Sequence, residues 1–425
     1  MLAIQVLRQM MLQMGTLLYA PVFWLAVALV YLQMRQQARK KEELFQLRRE
    51  PLAGKVVLVV TAGLAAGLLA SLILLVLGVT VDCIGLEYVW MVALLLLLVR
   101  QRFLCFAYSG GVLATANCLW GYPVLDGAQL LTVVAVLHCA EAFLVWSTGH
   151  LNRLPLYLQD QNRQITGGFL LQMVWPLPLL MLWLLSGDTL PQAGFLLLPD
   201  WWPVLGAGQA QYAALYVLLP VLAALGYSDV AVCHSVRQKT ASTAVMLLCY
   251  SAMLLLLVLA TRQGTALLLP ALFAPLGHEA MIWYGRRQEL RGNSRFCGPE
   301  RGLLILDVQA GSPAARAGLR SEDWIFALDG QPVENRQQFL QQQYRLPPCV
   351  TVTYLRRGKR RQCRMRMGRW SQPGIIPAPD RHGMVYWELQ PDQGLIKFLH
   401  KKLANVGLSN MCYSLSVKIT EHIIR

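Results

Sequence analysis

The chain has 425 residues, 56% of them hydrophobic and only 14% charged, with a formal net charge of +15. That composition excludes a disordered or fibrous chain and points to a polytopic membrane protein. About 12 of the positive units follow Gly285, so the basicity belongs mostly to the C-terminal end, where it favours anionic lipid headgroups. The ten cysteines form no CxxC pair, which argues against structural zinc and against a disulfide framework.

Met1–Met14 is short and apolar and lacks the basic start and cleavage site of a secretory signal. It reads as an interfacial lead-in to a first span over Gly15–Met34. Further apolar segments predict spans over Val56–Val81, Ile84–Val99, Leu104–Trp120, Gln129–Trp146, Gly168–Leu185, Ala210–Val232, Ala241–Ala260 and Thr265–Tyr284, the last broken by Pro270 and Pro275. The expected fold is therefore a polytopic α-helical membrane bundle of eight or nine spans over residues 1–285. Basic clusters follow the first, third, fifth, seventh and ninth segments, so the positive-inside rule puts everything after Arg286 in the cytoplasm. Gly187–Gly208 has no Lys or Arg and carries Trp201 and Trp202, which suits an outer loop at the headgroup level.

Residues 286–298 read as a basic linker. The next stretch, Arg301–Val333, reads strand, short helix, strand, tight turn, strand. Ser312 is placed to cap a helix that opens on Pro313, and Gly318 supplies a left-handed stop. Trp324, Ile325 and Leu328 lead into Asp329-Gly330, a hairpin pair. Val333–Tyr344 suits a helix with Phe339, Leu340 and Tyr344 on one face. Val350, Val352 and Tyr354 alternate with threonines, Arg357-Gly358-Lys359 turns, and Cys363, Met365 and Met367 alternate on the return strand.

The GSPAARAGL run followed by Ile325 and the Asp-Gly turn resembles a PDZ domain of the bacterial, protease-associated type, over roughly residues 299–369. The family has Gly-Asp where this chain has Glu322-Asp323, so Glu322 is expected to carry backbone strain. The resemblance implies a small α+β domain that takes an extended peptide as an added strand. Gly302, Leu303, Leu304 and Ile305 would supply the ladder, and Arg301 would draw a peptide carboxylate. Phe339, Leu340 and Gln343 would line the opposite wall, with some of these side chains in the core instead. Many spans followed by one cytoplasmic PDZ domain also resemble the MinJ-type division-site topology proteins of rod-shaped Gram-positive bacteria. That likeness implies a plasma-membrane scaffold at septa and poles, linked to polar and Min-system division proteins.

In the tail, residues 370–425, Pro373, Pro377 and Pro379 make an extended connector and Met384–Leu389 suits a strand. Leu395–Val406 has an apolar helical face with Lys397, Lys401 and Lys402 elsewhere. It suits a membrane-surface helix or an ordinary helix packed on the PDZ domain.

Catalytic constellations are incomplete. His278-Glu279 begins an HExxH zinc-protease motif, but Ile282 stands in the second histidine position. Leu328-Asp329-Gly330 imitates the aspartate motif of such proteases but belongs to the hairpin. No stretch accommodates a trypsin-like domain and no GxSxG elbow occurs. His138 and Glu141 share one face of the fifth segment, either as a proton or metal site or as a structural pair with each other, Asp229 or Asn117. The expectation is a non-enzymatic scaffold with no cofactor and no metal. A degenerate intramembrane metalloprotease, or a transporter regulated by its PDZ domain, is the alternative. Arg356, Arg357, Lys359, Arg360 and Arg361 form a basic hairpin patch that suits anionic lipid or plain solvent. No nucleic-acid module accompanies them.

Overall fold

The computed structural model describes residues 2–159, 165–185, 215–261, 264–292, 294–298, 301–368, 370, 372–380, 386–387 and 421–422. Among the described residues, eight α-helices build the first part: α1 (Leu2–Tyr19), α2 (Pro21–Phe45), α3 (Ala53–Leu77), α4 (Leu86–Val99), α5 (Phe106–Trp120), α6 (Gly127–Thr148), α7 (Val236–Thr261) and α8 (Leu268–Arg291). Among the described residues, four helices are long and apolar enough to cross a membrane, or five if α1 and α2 count as one span bent by 68°. The bend falls at Pro21, which has no N–H to continue the first helix. Helix α8 runs through Arg291, so the stretch expected as a basic linker begins as its last turns.

Two of the expected spans are not helices. Gly168–Leu185 lies in β2 (Ile165–Leu185), and the described part of Ala210–Val232 lies mostly in β3 (Leu215–Ala231). They form a long antiparallel hairpin, with β1 (Arg153–Gln159) on the other side of β2. Hydropathy alone does not separate an apolar strand from an apolar helix. The local chemistry does: Pro176, Pro178 and Pro220 would each break a helix interior, and Gly167-Gly168 sits near the start of the strand.

Beyond the end of β1, helix α3 covers the edge of β2. Ser71 Oγ accepts from the Leu180 N–H at 2.8 Å, and the Val81 N–H donates to Leu182 O at 2.8 Å. Gly63 and Gly67 let the helix backbone touch the carbonyls of Pro176 and Pro178, where any Cβ would collide. An otherwise open strand edge thereby finds partners, as an apolar setting demands.

The second part is a six-stranded sheet with two short helices. Its elements are β4 (Leu303–Val308), α9 (Pro313–Arg316), β5 (Trp324–Leu328), β6 (Gln331–Pro332), α10 (Arg336–Gln342), β7 (Cys349–Arg356), β8 (Lys359–Arg366) and β9 (Ile375–Pro377). The strand order is β8-β7-β5-β4-β9. Ser312 caps α9 by accepting from the Ala315 N–H, and Gly318 sits at φ +83°. The two hairpin turns take positive φ at Asp329-Gly330 and Arg357-Gly358, as type I′ geometry requires. Glu322 is held at φ +75°, the strain its place in the motif predicts. Leu303, Ile305, Ile325, Phe339, Val350, Val352, Met365 and Ile375 fill one core.

Two further strands, β10 (Tyr386–Trp387) and β11 (Glu421–His422), extend the first sheet beside β1. Of the strand expected at Met384–Leu389, the described residues Tyr386–Trp387 are extended and join the other sheet. The loop expected at Gly187–Gly208 and the helix expected at Leu395–Val406 lie outside the described residues.

Candidate functional site: a peptide groove facing the helical part

Both edges of β4 are used within the chain. On one side Leu303 and Leu304 pair with Ile325 and Trp324, the Ile305 N–H donates to Asp323 O, and the Glu322 N–H donates to Ile305 O. On the other side β9 runs antiparallel, and the Ala378 N–H donates to Leu304 O at 2.8 Å. The Gly302 N–H donates to Glu334 O, and Arg301 O accepts from Trp324 Nε1 at 2.9 Å. The backbone ladder expected from Gly302, Leu303, Leu304 and Ile305 is therefore already spent. Leu303, Ile305 and Phe339 are core side chains. Gly302 is structural, at φ +90° with the Trp324 ring where a Cβ would sit.

Among the described residues β8 and β9 are the two edge strands of this sheet, and the candidate edge for a peptide is the outer side of β9. Ala378 turns its backbone N–H to β4, so by the alternation of an antiparallel ladder Ile375 turns its N–H away, while Pro377 has none to offer. Helix α10 stands on that side. Tyr344, just after α10, accepts from Gln372 Nε2 ahead of β9, and Arg336 at its start acts on Asp380 beyond the end of β9. Strand and helix thus run antiparallel as two walls. Leu340 is half-buried and Gln343 is buried on the helical side.

Both ends of this groove abut the helical part. Tyr157 on β1 donates its hydroxyl to Pro377 O at 2.9 Å, and the Arg336 guanidinium lies over the Tyr157 ring. Tyr344 Oη donates to Gln46 Oε1, and Arg48 lies over Trp370. Beside the groove, Asp307 is 2% exposed and holds Arg153 at 3.0 Å and Lys41 at 3.2 Å. Burial pushes the Asp307 carboxyl up, but Arg153 and Lys41 outweigh it and hold the group below its usual range. Glu50 is likewise pushed up by burial and brought lower overall by Lys41 and Lys55. Phe296, Leu306, Ile376 and Ala378 belong to the same core as Leu171, Met173 and Trp175 of β2. The two parts of the chain share a packed interface.

The basic hairpin divides in two. Arg356 makes paired bonds to the buried Asp323 carboxylate at 2.6 Å each and another to Gly318 O, so it braces the domain. Arg357, Lys359, Arg360 and Arg361 are exposed at the tip and along β8.

The residues singled out in the apolar part also have definite neighbours. His138 pairs with neither Asp229 nor Asn117. Asp229 meets Lys239 at 3.2 Å and Thr243 at 3.0 Å, and Asn117 donates to Pro123 O. His138 meets Cys105 and His278 instead. Sequence reading missed Tyr157, Ile375, Pro377 and Cys105. Only Ile375-Ile376-Pro377, a β-branched pair before a proline, carried a strand signal.

With this geometry in place, residues 304–342 match the PDZ domain family, and the C-terminal sheet is a PDZ domain, a protein-binding module. Two curated relatives are similar to part of the chain. A probable periplasmic serine endoprotease DegP-like protein of Rhizobium meliloti is 33% identical over 110 residues, 25% of this chain and 20% of its own length. The serine protease Do-like HtrB of Bacillus subtilis is 39% identical over 62 residues, 14% of each chain. The chain spans a fifth or less of the length of these relatives. Among solved structures, the PDZ domain of the SdrC-like protein from Listeria monocytogenes is 21% identical, covering 19% of this chain and 90% of that one, with a TM-score of 0.17. Its counterpart from Listeria innocua is 23% identical, covering 18% and 92%, with a TM-score of 0.16.

Proposed function

We propose that the chain is a membrane-anchored, non-catalytic scaffold whose PDZ domain captures an extended segment of a partner protein between β9 and α10. The observation that carries this reading is the outer edge of β9. Its Ile375 backbone faces α10 across a groove with Leu340 and Gln343 on the far wall. A peptide strand added there gains backbone hydrogen bonds from β9 and side-chain contacts from α10.

The groove's position beside the basic ends of α2 and β1 supports a cytoplasmic placement. Lys41, Arg48 and Arg153 all meet the PDZ domain or its flank, so three basic side chains of the helical part collect beside it. Division-site placement at septa and poles, with polar or Min-system partners, is the most specific form of the proposal. It rests on the sequence likeness alone. Anionic lipid is the proposed contact of Arg357, Lys359, Arg360 and Arg361, whose exposed row lies free of the Asp323 brace.

A photo-crosslinking residue placed at Leu340 in the full chain, expressed in its native membrane, tests the scaffold reading. It is expected to trap one partner protein, and Ile375→Pro is expected to abolish trapping by removing the outward N–H. Trapping that persists undiminished in Ile375→Pro would overturn strand addition at this edge.

A further inference from the structure

We infer that Cys105, His138 and His278 form a transition-metal site, of the zinc type, inside the helical bundle. The sequence reading assigned no metal ligand. The structure brings these three together from the start of α5, the middle of α6 and the middle of α8, with their ligand atoms all within 4.8 Å of one another.

Hydrogen bonds fix which nitrogens carry protons. His138 Nδ1 lies 2.7 Å from Val134 O. A carbonyl only accepts, so the proton sits on Nδ1 and Nε2 keeps a bare lone pair. Tyr108 donates its single hydroxyl proton to Glu279 Oε2 at 2.8 Å, and Arg102 holds the other oxygen of that carboxylate at 2.8 Å. The Tyr108 oxygen, 3.2 Å from His278 Nδ1, must therefore accept, and Nε2 of His278 is bare as well. Both bare nitrogens face Cys105 Sγ, at 3.2 and 3.7 Å. One thiol proton satisfies only one of them. The two imidazoles are 2% and 7% exposed, where an unmet acceptor is costly.

A cation resolves the conflict by taking three lone pairs at once. Zn–S and Zn–N bonds at a tetrahedral angle place sulfur and nitrogen about 3.6 Å apart, close to both separations seen here. The outer contacts also have the required form. Each histidine donates its remote N–H, one to a backbone carbonyl and one to the Tyr108–Glu279–Arg102 chain, which is how ligating imidazoles are oriented. Tyr250 packs edge-on against both rings with its hydroxyl committed to Ala274 O, so it walls the site without competing for the ion.

The arrangement differs from the HExxH plan. Ile282 supplies nothing, and the second imidazole comes from α6. Glu279 spends its oxygens on Arg102 and Tyr108, so it orients His278 and does not serve as a base beside the ion. Three protein ligands leave a fourth position for water or an incoming donor. The ion would clamp three helices.

The test uses the full chain purified in detergent, with metal measured by mass spectrometry and Co²⁺ substituted for zinc. About one zinc per chain is expected, with a thiolate-to-cobalt charge-transfer band after substitution. Cys105→Ser and His138→Ala should each lose the ion and the band. Tyr108→Phe keeps all three ligands and should weaken zinc about 10- to 100-fold in chelator competition. It keeps the proposal testable if a ligand variant fails to fold. A monodisperse wild-type chain that takes up no zinc or cobalt, or a cobalt spectrum unchanged by Cys105→Ser, would overturn the site. Copper retained in preference to zinc would overturn the choice of ion.

Discussion

Asp307→Ala removes the carboxylate that joins the PDZ domain to the helical part. The wild-type group is buried and bonded to two cations, Arg153 at 3.0 Å and Lys41 at 3.2 Å. Deleting one member of a fully buried ion group costs about 3–5 kcal/mol. Two features reduce that here. Arg153 keeps 38% of its side chain exposed and can turn to water, and Lys41 retains Glu50 at 3.5 Å. A loss of about 2 kcal/mol in docking is the resulting expectation, roughly a 30-fold shift toward the undocked domain. Hydrogen exchange on the full chain reads it directly, because the Tyr157 and Arg153 contacts fall within or beside β1, β4 and β9. Asp323→Ala is the comparison: it breaks the Arg356 brace inside the domain and should destabilise the domain's own unfolding instead. Unchanged exchange along β1 and β9 in Asp307→Ala would refute the view that this ion group holds the two parts together.

Further outcomes follow from the same contacts. Asp307 and Glu50 are held below their usual range, so their contribution stands in full above the unfolded carboxylate values near pH ~4 and is lost as pH falls through the folded ones. An acid titration of docking, followed by exchange or by fluorescence between labelled parts, should show release on the acid side and none between pH ~6 and ~8. Gly63→Val places a branched side chain against the Pro176 carbonyl and should cost about 1–3 kcal/mol of bundle stability in thermal unfolding. Replacing Arg357, Lys359, Arg360 and Arg361 with serine should remove the exchange protection that anionic nanodiscs give to the β7–β8 hairpin, while neutral nanodiscs give none in either protein.

The PDZ domain was legible because its signals are local. Ser312, Pro313 and Gly318 cap and stop a helix through their own backbone chemistry, and Asp329-Gly330 can hardly avoid a tight turn. The hairpin of β2 and β3 was not legible as such, because hydropathy windows weigh Pro176 and Gly168 lightly against many leucines. The ladder position failed for a different reason. Leu303–Ile305 does lie in a strand, but its second edge is taken by β9, some 70 residues later and disguised among prolines. His138 was visible as an ionisable residue in an apolar segment. Its neighbours were not, since Cys105 and His278 lie 173 residues apart in the chain and meet only after α5, α6 and α8 pack.

The groove itself offers the most direct test. A displayed peptide library is selected against the full chain in nanodiscs, and the best peptide is mapped by hydrogen exchange. New protection is expected at the Ile375 amide and along α10, and Ile375→Pro should remove it. A peptide that binds tightly yet protects the β8 edge or the helical part, leaving Ile375 unchanged, would contradict capture between β9 and α10.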